Sequence, residues 1–175
     1  MRFKPETLTY VQNTIAQNFV PPSLDVHRPY LALFVRRTDK VHGREMTRIY
    51  SMDDYFTLFE SDARRVNIST IYMNSEDPKA FEEYNSMPKK RRDAFKLLTI
   101  KTTKEMLFLT LAGMSPQERQ AIALEFLTDL FIEVNADLHS GTLTSNWCRL
   151  IDEIRFVLGK YMTFYTPENR FLIDM

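Results

Sequence analysis

Apolar side chains recur at helical spacing at the start of the chain. Leu8, Val11, Ile15 and Phe19 fall three and four residues apart, which predicts a helix over 5–18 with one inward face. Pro5 suits its first position, and the "VPPS" that follows ends it. The pattern then turns β-like. Residues 30–38 and 44–50 predict two strands around "DKVHG", where Gly43 can supply a positive φ for the turn. "SMDD" carries a capping box, Ser51 with Asp54, and opens a helix over 52–64 with Tyr55, Leu58 and Phe59 inward. "VNISTIYM", 66–73, is β-branched and aromatic, and predicts a third strand.

Beyond "NSEDP" the pattern is helical throughout. Short helices are expected at 78–86, ended by Pro88, at 89–99, and at 103–113 with Gly113 as a stop. Ser115, Pro116 and Glu118 open a helix over 116–138 whose apolar positions are too wide for one exposed stripe. The last helix, 145–162, places Trp147, Leu150, Ile151, Ile154, Val157, Leu158 and Tyr161 on a buried face. The fold class expected is α+β: a small antiparallel sheet, a β-hairpin plus a third strand, with helices, followed by a C-terminal helical bundle. A basic sheet region, 1–77, and a helical region, 78–175, would share one core.

Charge changes this picture. The 175 residues carry no net charge, yet residues 1–105 hold 18 Lys and Arg against 14 Asp and Glu, and the remainder holds 5 against 9. Such asymmetry suggests two surfaces with different partners. The excess is concentrated in the expected hairpin, "RPYLALFVRRTDKVHGREMTRIYS", where Arg28, Arg36, Arg37, Lys40, Arg44 and Arg48 face only Asp39 and Glu45. An even turn pairing Asp39 with Arg44 puts Leu31, Leu33 and Val35 on one face with Met46 and Tyr50. The other face then shows Tyr30, Phe34, Arg36 and Thr38 beside Thr47 and Ile49. Aromatics interleaved with arginines suit single-stranded nucleic acid, because bases stack on rings while guanidinium groups take phosphates. Lys89, Lys90, Arg91 and Arg92 add a second cluster at a helix start, where the dipole disfavours cations.

Enzymatic chemistry finds less support. His27, His42, His139 and Cys148 form no metal-ligand pair. The four glycines, Gly43, Gly113, Gly141 and Gly159, make no phosphate-cradling loop, so no cofactor is expected. Cys148, with His139 as base, reads better as a small buried hydrophobe than as a nucleophile. Asp53 with Asp54, and Glu82 with Glu83, are adjacent on helices and point apart. The function expected is therefore that of an accessory protein binding single-stranded RNA without catalysis, through Tyr30, Phe34, Arg36, Arg37, Lys40, Arg44, Arg48 and the 89–92 cluster.

Two alternatives stand beside it. The first is a protein-interaction or assembly module, dimerising or meeting a partner through 116–138 and the apolar tail "TPENRFLIDM". The second is a metal-independent ribonuclease using His42, Arg44 and Glu45 with Arg36 or Arg37. One cysteine, no apolar core in "MRFKPETLTYVQ" and an apolar stretch "MLFLTLAGM" too short to span a bilayer lead to the expectation of a cytoplasmic protein.

Overall fold

β1 (Tyr30–Val35) is buried at all six positions and has no polar alternation. Strands of that kind are covered on both faces, which is the habit of parallel sheets. A computed structural model of the chain describes residues 4–37, 46, 48–100, 112–160 and 163–166. Within it, β1 is the centre of a five-stranded, wholly parallel sheet.

The elements run in the order α1 (Pro5–Asn18), β1, α2 (Met52–Arg65), β2 (Thr70–Ser75), α3 (Pro78–Ser86), α4 (Lys89–Arg92) and β3 (Lys96–Leu98). There follow α5 (Pro116–Asn135), β4 (Leu138–Gly141), α6 (Asn146–Val157) and β5 (Thr163–Tyr165). A turn of 3-10 helix, Asp25–His27, precedes β1. The strands lie in the order β3-β2-β1-β4-β5. Tyr30 pairs with Thr70 and Val35 with Ser75 on one side of β1, and Leu31 with Leu138 and Phe34 with Gly141 on the other.

Three layers result. On one face Leu31, Leu33 and Val35 pack with Tyr55, Phe56 and Phe59 of α2 and with Ala80 and Tyr84 of α3. On the opposite face Tyr30, Ala32 and Tyr72 meet Val11 and Ile15 of α1, Ile132 of α5 and Ala136 just after it. Leu130 and Val134 of α5 turn instead to Ile151 of α6. Two packed neighbours and a sheet account for the apolar surface of the second half of α5, from Leu127 to Val134.

The antiparallel hairpin of the sequence reading is therefore corrected. Its first strand exists, but β1 pairs in parallel with β2, and α2 makes the crossover that parallel pairing requires. Residues 48–50 are not a strand, and the expected turn lies outside the described residues. The helical bundle is corrected too, since β3, β4 and β5 all come from the half read as helix. Residues 96–98, expected within a helix, form β3, and β4, "LHSG", is too short and too polar for its pattern to be seen. The last helix, expected over 145–162, is α6 over 146–157, and Leu150, Val157 and Leu158, expected on its buried face, are exposed. Capping boxes at Ser51 and Asp54 and at Ser115 and Glu118 open α2 and α5 as expected. α1 and α3 span 5–18 and 78–86, as read. The helix expected at 103–113 falls mostly outside the described residues. Among those residues no helix is long and apolar enough to cross a membrane.

Candidate functional site

In a sheet of order 3-2-1-4-5 the chain leaves β1 toward one edge and β4 toward the other. A crevice opens where they part, beyond their carboxyl ends, and ligands of open parallel sheets bind there. Here the crevice is bounded by Arg36 and Arg37 after β1 and by Thr142 to Ser145 after β4, which lead into the amino end of α6.

The two rims are tied together. Thr142 Oγ1 accepts from Arg36 N at 3.3 Å and donates to Arg36 O at 3.2 Å, and the Tyr55 hydroxyl lies 2.6 Å from the same oxygen. α6 is brought close to the sheet because Gly141 has no side chain, so Cys148 takes the space above it. Ser145, at the N-cap of α6, makes no side-chain cap bond, so none of the first N–H groups of the helix is capped by that hydroxyl. Those N–H groups, with the helix dipole, favour an anion at the crevice.

Adjacent arginines serve different ends. Arg37 is 2% exposed: its Nη1 and Nη2 donate to Glu83 Oε1 and Oε2 at 2.6 and 2.9 Å, and its backbone N to Glu76 Oε1 at 3.0 Å. Glu83 Oε2 also accepts from Met52 N at 3.1 Å, so one carboxylate of α3 ties the end of β1 to the start of α2. Burial alone would raise the Glu83 pKa, but the hydrogen bonds from Arg37 and Met52 N outweigh it and hold it below the usual range. Arg36 keeps a quarter of its side chain exposed, with Nε 4.0 Å from Glu76 Oε1. Its backbone, bonded to Thr142, stands at the β1 rim of the crevice.

The other residues expected to bind nucleic acid are dispersed. Tyr30 is fully buried, its hydroxyl donating to Ile132 O at 2.7 Å, and Phe34 is 7% exposed. Neither presents a face to stack on. Arg48 sits over the Tyr50 ring and beside Asp54 Oδ1 at 3.2 Å. Arg91 is held by Asp53 and Glu60 and covers Phe56, while Arg92 bonds Asn85 O. Lys89 and Lys90 are exposed. Lys40, His42, Arg44 and Glu45 lie outside the described residues. Cys148 is buried, as expected of a small hydrophobe, and burial, with Glu133 nearby, pushes its thiol pKa up. His139 Nδ1 lies 3.0 Å from Asp152 Oδ1. Among the described residues no group of three or more His, Cys, Asp or Glu is placed to hold a metal ion.

No protein-family model and no curated protein matches the sequence. Solved structures do match the fold. The chain superposes over 95% of its length on POFUT1 crystallised in complex with GDP, with a TM-score of 0.61 at 12% identity, covering 49% of that chain. For POFUT1 in complex with GDP-fucose the values are a TM-score of 0.59, 11% identity, 95% of this chain and 47% of that one. The chain thus spans about half the length of the solved proteins it matches. At this identity the likeness establishes a shared Rossmann-like α/β fold.

These findings overturn the RNA-binding reading. The basic hairpin on which it rested is a strand, a buried arginine and a crossover in a parallel sheet, and the structural neighbours bind a nucleotide sugar. Sequence reasoning missed Thr142, Ser145 and the amino end of α6. The missed signal was the buried run "YLALFV", which marks a parallel strand, followed directly by arginines at the position where such strands carry ligands.

Proposed function

We propose that the chain is the nucleotide-sugar-binding half of a glycosyltransferase, taking GDP-fucose or a close relative as donor. The observation that carries this reading is the shared fold: over nearly its whole length the chain follows a fucosyltransferase seen with GDP and with GDP-fucose. The crevice supplies a matching chemistry. Arg36 and the amino end of α6 approach it from the β1 and β4 rims, a cation and a set of N–H donors suited to a diphosphate.

Glycosyl transfer breaks the bond between the sugar's anomeric carbon and the β-phosphate oxygen, so negative charge grows on the departing diphosphate. Fixed donors aimed at that charge stabilise the transition state more than the ground state. Arg36 and the α6 N–H groups fill that role, and the Tyr55–Thr142 bond keeps the Arg36 backbone in register with β4.

Isothermal titration calorimetry with GDP, GDP-fucose, ADP and UDP tests the assignment. Guanosine diphosphates should bind, and ADP and UDP more weakly. Heat from none of the four at millimolar concentration would remove the reading.

A further inference from the structure

A bound nucleotide also needs a seat for its base, and aromatic rings lie beside the amino end of α6. Trp147 is the second residue of α6, adjacent to the N–H groups that would hold phosphate. Its indole is fixed from behind: Nε1 donates to Glu133 Oε2 at 3.1 Å, and Glu133 Oε1 in turn accepts from Asn74 Nδ2 at 2.6 Å. Phe34, at the end of β1, lies 6.3 Å from the indole, and Phe126 of α5 meets it edge-on at 5.5 Å. Three aromatic rings from three elements thus converge at one side of the crevice.

Burial along α5 gives this cluster an open side. Thr128 to Leu130 and Ile132 to Val134 are buried, whereas residues 116–127 are exposed or half-buried throughout. α5 leads into β4 and so runs against the strands, which places its free section toward their carboxyl ends. Phe126 stands at the junction, 43% exposed although it is a large aromatic ring. An exposed ring braced by a fixed indole, next to an anion-binding corner, is the arrangement a flat heterocycle stacks on.

Resting on the proposed nucleotide site, we infer that the exposed Phe126 ring, braced edge-on by Trp147, is the platform on which the purine base of the bound nucleotide stacks. The base contributes affinity there through its π-face, and the diphosphate is held separately at Arg36 and α6. Loss of the Phe126 ring therefore weakens nucleotides and leaves inorganic pyrophosphate untouched.

Trp147 is the sole tryptophan, so the chain carries its own reporter. The experiment combines tryptophan fluorescence, excited near 295 nm, with calorimetry, using GDP and pyrophosphate on the wild type and on Phe126→Ala. GDP should quench Trp147 and pyrophosphate should not. Phe126→Ala should weaken GDP on the order of tenfold and pyrophosphate less than twofold. Circular dichroism would check that the variant remains folded, and Phe126→Tyr, which keeps the ring, should restore GDP binding. Calorimetric GDP binding without quenching and unchanged in Phe126→Ala would overturn the platform and leave the nucleotide site standing. Equal losses for GDP and pyrophosphate would overturn it too, since the ring would then shape the crevice as a whole. Absence of GDP binding to the wild type would remove the underlying reading and this inference with it.

Discussion

A Cβ placed on Gly141 would stand 2.6 Å from Cys148 Sγ and 3.2 Å from Phe34 O. α6 therefore approaches β4 at a distance only a glycine allows, and that approach brings its amino end to the crevice. Gly141→Ala should destabilise the protein by about 1–3 kcal/mol, as overpacking does. Adding Cys148→Ala should recover part of the loss, because the nearer clash disappears while the contact with Phe34 O remains. Urea denaturation of the two single variants and the double variant measures the coupling.

Arg36 is the residue whose removal should separate function from folding. Arg36→Ala should raise the Kd for GDP tenfold or more and cost less than about 1 kcal/mol of stability, being a partly exposed side chain. Arg36→Lys should remain impaired, since an ammonium lacks the guanidinium fork. Calorimetry and denaturation on the same samples check both halves of the expectation.

Its neighbour should behave the opposite way. Arg37→Ala removes the fork held by Glu83 and leaves that carboxylate with only Met52 N of its recorded partners, an expected loss on the order of 2–4 kcal/mol. Arg48→Ala, which breaks a surface pair with Asp54, should change stability by about 0.5 kcal/mol or less. Because the folded-state pKa of Glu83 is depressed, its stabilising contribution is complete above the ordinary glutamate value, about 4.3, and is lost as pH falls through the lower folded value. The loss of stability from pH 5 to pH 3 should be smaller in Arg37→Ala than in the wild type, as seen by chemical denaturation at each pH.

His139 gives a second pH signature at a higher range. Burial lowers its pKa, and the Asp152 carboxylate offsets this only in part. Below the ordinary histidine value, about 6.5, the unfolded chain binds a proton that the native state resists, so stability falls as pH is lowered from 7 to 5. The slope from this group is at most about 1.4 kcal/mol per pH unit. His139→Gln should flatten the profile between pH 7 and 5, and an unchanged profile would show that another group carries it.

Helix ends were legible because capping is local. Ser51 with Asp54, and Ser115 with Pro116 and Glu118, lie three residues or fewer apart, and each set satisfies its own N–H groups whatever surrounds it. One face of β1 was legible, since Leu31, Leu33 and Val35 do share a core with Met46 and Tyr50, but the face with Tyr30 and Phe34, expected to be open, is buried as well. The direction of pairing was not legible. β1 meets β2 across 40 positions and β4 across 107, and a strand's own residues do not state which partner it takes or in which sense.

The same holds for the arginines. By itself the sequence determined a charged, aromatic stretch after an apolar strand, because composition and period are local properties. Only the tertiary structure decided that Arg37 is buried against a carboxylate 46 residues away, while Arg36 stays partly exposed beside Glu76 with its backbone bonded to Thr142, 106 residues away. A guanidinium's role follows from which carboxylates and N–H groups meet it, and that meeting is made by the crossovers of the sheet.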